Sequence, residues 1–249
     1  MKNVIILWTG GFDSTYQLLQ LLTVDKVSVS PIYIIDEERR STCAEMISMK
    51  RIMSKLTKKF PYVIDLLSPI QYFSMTGIVS NNIISDAFKR IRMKSFIGGQ
   101  YEWLARFCDQ NNMTDMQLCI HKDDKAHDVL VDVVIADPLK SCRVSKSFSD
   151  TDEYTLFKYY TFPVFSLTKI EMMALAKEQH VEEIMNMTWF CHSPHKNMIP
   201  CGTCNPCIYT MEEGLGHRLP YASRIKSYIT KYVARPTKSA ARRIIARLA

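Results

Sequence analysis

The sequence contains no apolar run of membrane length. Its longest early candidate, Val4–Trp8, is apolar for five residues and then meets Gly10 and Gly11. That is too short for a signal-peptide core or a membrane span, so a cytoplasmic protein without a membrane partner is expected. Internal repeats and low-complexity tracts are also missing, which excludes solenoids and extended disorder. Acidic residues are absent after Glu213, where Arg218, Arg224, Lys226, Lys231, Arg235, Lys238, Arg242, Arg243 and Arg247 follow. The net charge of +7 less these nine leaves the rest of the chain at −2, so any polyanion-binding property is confined to the tail.

What is present is a chain of 249 residues, 47% hydrophobic and 23% charged, enough for one large domain with an appendage. Strand-like and helix-like segments alternate, which predicts an α/β fold with a parallel sheet covered by helices. The β-branched runs at Val4–Trp8, Val29–Ile35, Tyr62–Leu67 and Leu130–Ala136 read as strands, and Phe96-Ile97 as a strand end entering a Gly98-Gly99 turn. Ser14–Leu22, Ser41–Phe60, the stripe Ile83–Ile91, Gln100–Cys108 and Thr168–Gln179 read as helices. The expected division is a catalytic domain over 1–185, a cysteine knuckle over 186–215 and a basic helical extension over 216–249.

The first strand runs into Thr9-Gly10-Gly11-Phe12-Asp13-Ser14-Thr15 and then a helix. Glycines allow a sharp turn and close backbone approach, and the free N–H groups of a helix start suit a phosphate. Ser14 and Thr15 offer hydroxyls. Asp13 would repel a bare phosphate, so a Mg²⁺-bridged pyrophosphate group is the natural ligand. The plainer reading is a strand–turn–helix whose Asp or Ser is an N-cap.

Four of the eight cysteines fall within seventeen residues, as Cys191-x9-Cys201-Gly-Thr-Cys204-Asn-Pro-Cys207. Clustered thiols in a chain without an export signal point to metal before disulfides, and a closed four-thiolate set suits structural Zn²⁺. An iron–sulfur cluster, or His192 or His195 in place of Cys191, are the competing readings.

The string from Thr9 to Ser14 resembles the [S/T]-G-G-x-D-S signature of the PP-loop ATP pyrophosphatases, and lacks the G-K-[ST] ending of a Walker A loop. Combined with Trp189-Phe190-Cys191, the Cys201–Cys207 knuckle, and Phe162-Pro163-Val164 followed by Lys169-Ile170-Glu171-Met172, it resembles the 7-cyano-7-deazaguanine synthase family over most of 1–215. The resemblance implies a doubly wound parallel sheet of the adenine nucleotide alpha hydrolase-like type. It also implies a ligase that adenylates 7-carboxy-7-deazaguanine with ATP and Mg²⁺, releases pyrophosphate and passes the acyl group to ammonia.

On that pattern Trp8 to Thr15 cradle the nucleotide, Ile34 lies near the adenine edge, and Gly98-Gly99 face the loop from across the cleft. Asp13, Ser14 and Lys169 carry the chemistry. The chain departs from the family around the expected substrate pocket, where Gln100, Tyr101, Glu102, Arg39 and Arg143 stand as substrate candidates. This divergence resembles relatives found in bacterial anti-phage gene clusters, and a protein amine as acceptor is one implication.

Two other classes of function stay open. A PP-loop tRNA-modifying enzyme would use the basic tail on nucleic acid, but Cys43, Cys108, Cys119 and Cys142 show no catalytic pairing. A non-catalytic nucleotide-binding module would dock a protein partner. A homodimer is compatible with either, since the sequence does not fix oligomeric state. In the tail, Ser223–Tyr232 and Lys238–Leu248 have amphipathic spacing. The first is expected to cap the domain through Ile225, Tyr228, Ile229 and Tyr232, with docking to an acidic protein or RNA as the alternative.

Overall fold

The computed structural model describes residues 3–137 and 141–234. Asn3–Leu7 (β1) lies at the centre of a five-stranded parallel sheet. Ser28–Ile35 (β2) pairs with it from Asn3↔Ser28 to Leu7↔Ile32. Between them run the helix Phe12–Leu19 (α1) and a wider π turn over Gln20–Val24. Thr42–Lys59 (α2) leads to the edge strand Gln71–Ser74 (β3), paired with β2. Asn82–Lys94 (α3) and Gln100–Gln110 (α4) then cross to Met116–Gln117 (β4), on the other side of β1.

Lys125–Leu130 (α5) precedes a two-stranded antiparallel unit of Val134–Asp137 (β5) and Ser141–Val144 (β6). Asp152–Phe157 (α6) leads to Tyr160–Thr161 (β7), which closes the sheet order β3-β2-β1-β4-β7. The chain thus fills one half of the sheet, returns to the middle and fills the other. That reversal beside β1 opens a crevice at the carboxyl ends of the strands, where α/β sheets bind ligands.

Each sheet face buries its own core. Leu7, Ile32 and Ile34 pack with residues of α3, α4 and α6. On the opposite face Ile6, Trp8, Val29 and Tyr33 pack with α1, α2, Lys169–Glu178 (α7) and Glu182–Met185 (α8). Alternating sides along β1 and β2 explain why both strands read as continuous apolar runs. Thr168 caps α7, with reciprocal bonds to Glu171.

Several expected elements differ. Tyr62–Leu67 is no strand: Pro61–Asp65 form a 3-10 turn with Ile64 exposed, and the real third strand is the more polar Gln71–Ser74. Pro61 favours that turn because its fixed φ suits a helical start. Phe96-Ile97 is loop, with Phe96 exposed. The expected strand over Leu130–Ala136 begins only at Val134, because α5 occupies the residues up to Leu130.

The knuckle continues into Asn205–Glu212 (α9) and then Tyr221–Ile229 (α10). The latter sits with its serines inward, opposite to expectation. Ser223 Oγ donates to Pro200 O and Ser227 Oγ to Gly202 O, both at 2.6 Å, while Ile225, Tyr228, Ile229 and Tyr232 face outward. Gly202 has φ +79, and a Cβ there would overlap the Ser223 carbonyl, so the helix packs against bare backbone. The expected helix over Lys238–Leu248 lies outside the described residues.

Candidate active site and thiol cluster

Gly10 adopts φ +67, and a Cβ there would come within 2.8 Å of Met49 Cγ and 3.2 Å of Glu45 O. Glycine is therefore required both by the turn and by α2 packed behind it. The Thr15 N–H donates to Gly11 O at 3.1 Å and opens α1. Asp13 Oδ1 and Ser14 Oγ are buried without a hydrogen-bond partner. Buried polar atoms are rarely left so unless a ligand completes them. No N-cap side-chain bond forms at this helix start, so the plain capping reading of Asp13 and Ser14 does not describe it.

These atoms face a cavity of about 600 Å³. Thr9, Gly11, Asp13 and Ser14 line its loop side, and Asp36 and Arg39 extend from the end of β2. Gly99, Gln100, Tyr101, Trp103 and Leu104 line the α4 side, Leu118, Cys119 and Asp124 the exit of β4, and His192 reaches in from the knuckle.

Not every expected contact is there. Trp8, Phe12 and Thr15 are buried behind the loop, with Trp8 Nε1 donating to Thr15 Oγ1 at 3.0 Å. They shape the turn and do not line the cavity. Ile34 is buried within the sheet opposite Phe73. Gly98 lies beneath the Gln100 side chain, and only Gly99 of the pair faces the cavity. Glu102 turns away, bonded by Arg106 Nη2 at 2.9 Å and Ser85 Oγ at 2.6 Å. Arg143 is held at the β5–β6 unit by Asp137 at 2.5 Å and Asp115 at 2.9 Å.

Arg39 is preorganised. Its guanidinium meets Glu45 Oε1 at 3.1 Å and Ser41 Oγ at 2.9 Å, and Glu45 also accepts from Ser41 Oγ and Tyr33 OH. Burial and the Glu45 carboxylate push the Tyr33 hydroxyl up, so it stays a donor to that carboxylate. Burial, helped by Asp124 and Asp13, raises the Tyr101 hydroxyl far above its ordinary value. Cys119 is likewise pushed up by burial and by Asp13, and remains a thiol.

Lys169 Nζ pairs with Glu213 Oε1 at 3.0 Å. Burial works to lower its pKa, but Asp13, Glu213 and Asp124 outweigh burial and raise it, so the ammonium persists within electrostatic reach of Asp13, although Lys169 does not itself line the cavity. Two groups escaped the sequence reading. His121 Nδ1 is buried without a hydrogen-bond partner, 3.6 Å from Asp13 Oδ1. Arg218 was grouped with the basic tail, yet its Nη2 donates to Thr188 O and Oγ1 at 2.5 Å and its guanidinium stacks on Phe12 and Phe190. Burial lowers its pKa to about 10, against the opposing pull of Glu213 and Asp13. The His121 signal was the polar run His121-Lys122-Asp123-Asp124 directly after an apolar Leu118–Ile120. Arg218 had no local signal.

Behind the loop the four thiols of Cys191, Cys201, Cys204 and Cys207 lie within 4.8 Å of one another. Cys204 Sγ is 3.4 Å from Cys207 and 3.9 Å from Cys191, and Cys201 is 3.9 Å from Cys207. Thiolates about 2.3 Å from a tetrahedral ion lie about 3.8 Å apart, so a single ion fits. Backbone N–H groups of Cys201, Thr203 and Cys204 donate to sulfur, as they do to thiolates. Hydrogen bonds from Cys191 and Cys207 pull the Cys204 thiol down. The histidines do not compete: His192 lines the cavity and His195 lies 3.4 Å from Lys226 Nζ.

The knuckle is fastened to the loop. Trp189 N–H donates to Gly10 O at 2.8 Å, and Ser48 Oγ to Met187 O at 2.7 Å.

Residues 143–216 match the family model QueC, described as queuosine biosynthesis protein QueC. No curated protein matches the chain. Among solved structures it is similar to the U34-tRNA thiolase NcsA from Methanococcus maripaludis with its [4Fe-4S] cluster. The identity is 12%, the TM-score 0.41, and the match covers 93% of this chain and 73% of that one. The matched segment holds Lys169, the knuckle and Glu213, and the phosphate loop packs against that same segment. Over residues 143–216 the chain is thus similar to QueC, and the Thr9–Ser14 string lies outside the matched segment.

Proposed function

We propose that this QueC-like protein is an ATP-using ligase that adenylates the carboxylate of a 7-carboxy-7-deazaguanine-type acid and hands the acyl group to a nitrogen nucleophile. The observation that carries the reading is the pair of orphaned buried atoms, Asp13 Oδ1 and Ser14 Oγ, facing a cavity beside a buried lysine. A phosphate chain would accept from Ser14 and the α1 N-terminus, and Asp13 would hold the Mg²⁺ that neutralises the leaving pyrophosphate. A substrate carboxylate oxygen would attack the α-phosphorus as the bond to the β-phosphate oxygen breaks. Lys169 stabilises the charge that develops there. Ammonia or a protein amine would then displace AMP.

Arg39, fixed by Glu45 and Ser41, is placed to grip an anionic substrate group, and Gln100, Tyr101 and Asp124 offer donors and acceptors to a purine-like edge. Zn²⁺ is the ion we assign to the thiol cluster, in a structural role. A [4Fe–4S] cube, bound by one cysteine at each of four irons, would hold the thiolates farther apart. Cys119, the cysteine on the cavity wall, is held as a thiol, which supports acyl activation over sulfur transfer.

The test is pyrophosphate release from Mg-ATP with and without 7-carboxy-7-deazaguanine, followed by mass spectrometry. Release that requires the acid is expected, and the product mass separates amide, nitrile and protein conjugate. Nucleotide binding with no release under any acid would instead favour a non-catalytic module.

A further inference from the structure

Helix α10 is mounted the wrong way round for a cap. Its small polar residues, Ser223 and Ser227, are buried and bonded to the knuckle backbone. Its large residues point to solvent: Tyr221 is 76% exposed and Tyr228 63%. Tyr221, Ile225 and Tyr228 follow at steps of four and three residues, the spacing of a seam between two helices, and Tyr232 extends the exposed face from the wider π turn Thr230–Ala234. The Tyr228 and Tyr232 rings already lie 4.6 Å apart, forming one continuous aromatic ridge. Isolated exposed apolar side chains are ordinary, whereas a seam of them on one helix marks an interaction site.

The charge around the seam selects its occupant. Arg224, Lys226 and Lys231 lie on this stretch and no carboxylate does. Of the nearby acids, Glu212 is taken by Lys231 at 2.7 Å and Glu213 by Lys169. A second copy of the chain would set this positive stretch against itself. The chain's own segment after Ala234, which adds five basic residues and no acid, would do the same. Nucleic acid suits the positive charge and could stack on the tyrosines, but the aliphatic Ile225, Ile229 and Val233 set among them suit the apolar face of a helix better than bases. We infer that the outward face of α10 and the turn after it is a docking seam for an acidic amphipathic helix of a partner protein, with apolar residues meeting the tyrosine–isoleucine ridge and carboxylates meeting Arg224 and Lys226. This surface is separate from the cavity, so the inference stands apart from the proposed reaction.

The probe is a fluorescent 18-residue amphipathic helical peptide with leucines on one face and glutamates flanking them. It is compared with the same peptide carrying lysine for glutamate and with a scrambled acidic version. The full chain is expected to bind the acidic helix alone, more weakly as salt rises, and Tyr228→Asp and Lys226→Glu should each weaken binding at least about tenfold. Unchanged melting temperature and metal content keep loss of fold out of the result, and Ile225→Ser is a milder second variant. No preference for the acidic helix overturns the inference, as does equal binding by Tyr228→Asp. Self-association in sedimentation, or binding to RNA or to anionic vesicles, that Tyr228→Asp removes would give the seam to those occupants instead.

Discussion

The phosphate loop and the thiol knuckle are neighbours with opposite polar bookkeeping. In the knuckle every sulfur has donors or other sulfurs around it, and the set closes on itself. In the loop Asp13 Oδ1 and Ser14 Oγ are buried without a hydrogen-bond partner, and the polar atom named beside Asp13, His121 Nδ1 at 3.6 Å, lacks one too. A closed set holds a fold together, and an open one holds a place for a ligand. The two should therefore fail in different ways when mutated.

The sharpest break is Cys204→Ser. It should lose the metal and destabilise the protein by roughly 3 kcal/mol or more, read by metal analysis and thermal melting. A folded, metal-free variant would erase the contrast. Asp13→Asn should do the reverse, reducing pyrophosphate release by on the order of 10² or more while leaving the melting temperature equal or slightly higher. Lys169→Met should come next, with kcat lower by on the order of 10²-fold and metal content unchanged. In Arg39→Met the expected change is mainly a KM for the acid raised by about tenfold, because the proposed role of Arg39 is to grip the substrate and not the reacting phosphorus. The smallest effects belong to Glu102→Gln and Arg143→Ala. Each should change turnover less than about twofold, since their partners lie outside the cavity, whatever stability the lost Ser85, Arg106 or Asp137 contact costs.

The last pair marks where the sequence was legible and where it was not. Glycine turns and cysteine spacings are local, so the loop could be seen in the seven residues Thr9–Thr15 and the knuckle in the seventeen from Cys191 to Cys207. The sheet's far half could not. β4 and β7 are two residues long, below any periodic signal, and their places are set by pairing with β1 and with each other. Without β4 the wall Leu118–Asp124 had no address, and the substrate role fell on Glu102 and Arg143 by proximity in sequence. The Gly98-Gly99 turn was noticed, and it does bring Gln100 and Tyr101 to the cavity. On α10 the apolar stripe was visible but its direction was not. That direction depends on Gly202, twenty-one residues before Ser223, leaving room for a serine-faced helix to close on bare backbone.

The bond from the Trp189 N–H to Gly10 O has a consequence for how a newly made chain matures. The glycine turn emerges from the ribosome first, but the strut that braces it, Trp189, comes about 180 residues later. Until then the turn is free to wander, and nucleotide should bind poorly. Completion of the knuckle would thus act as a licence, withholding ligand from chains that are not yet finished.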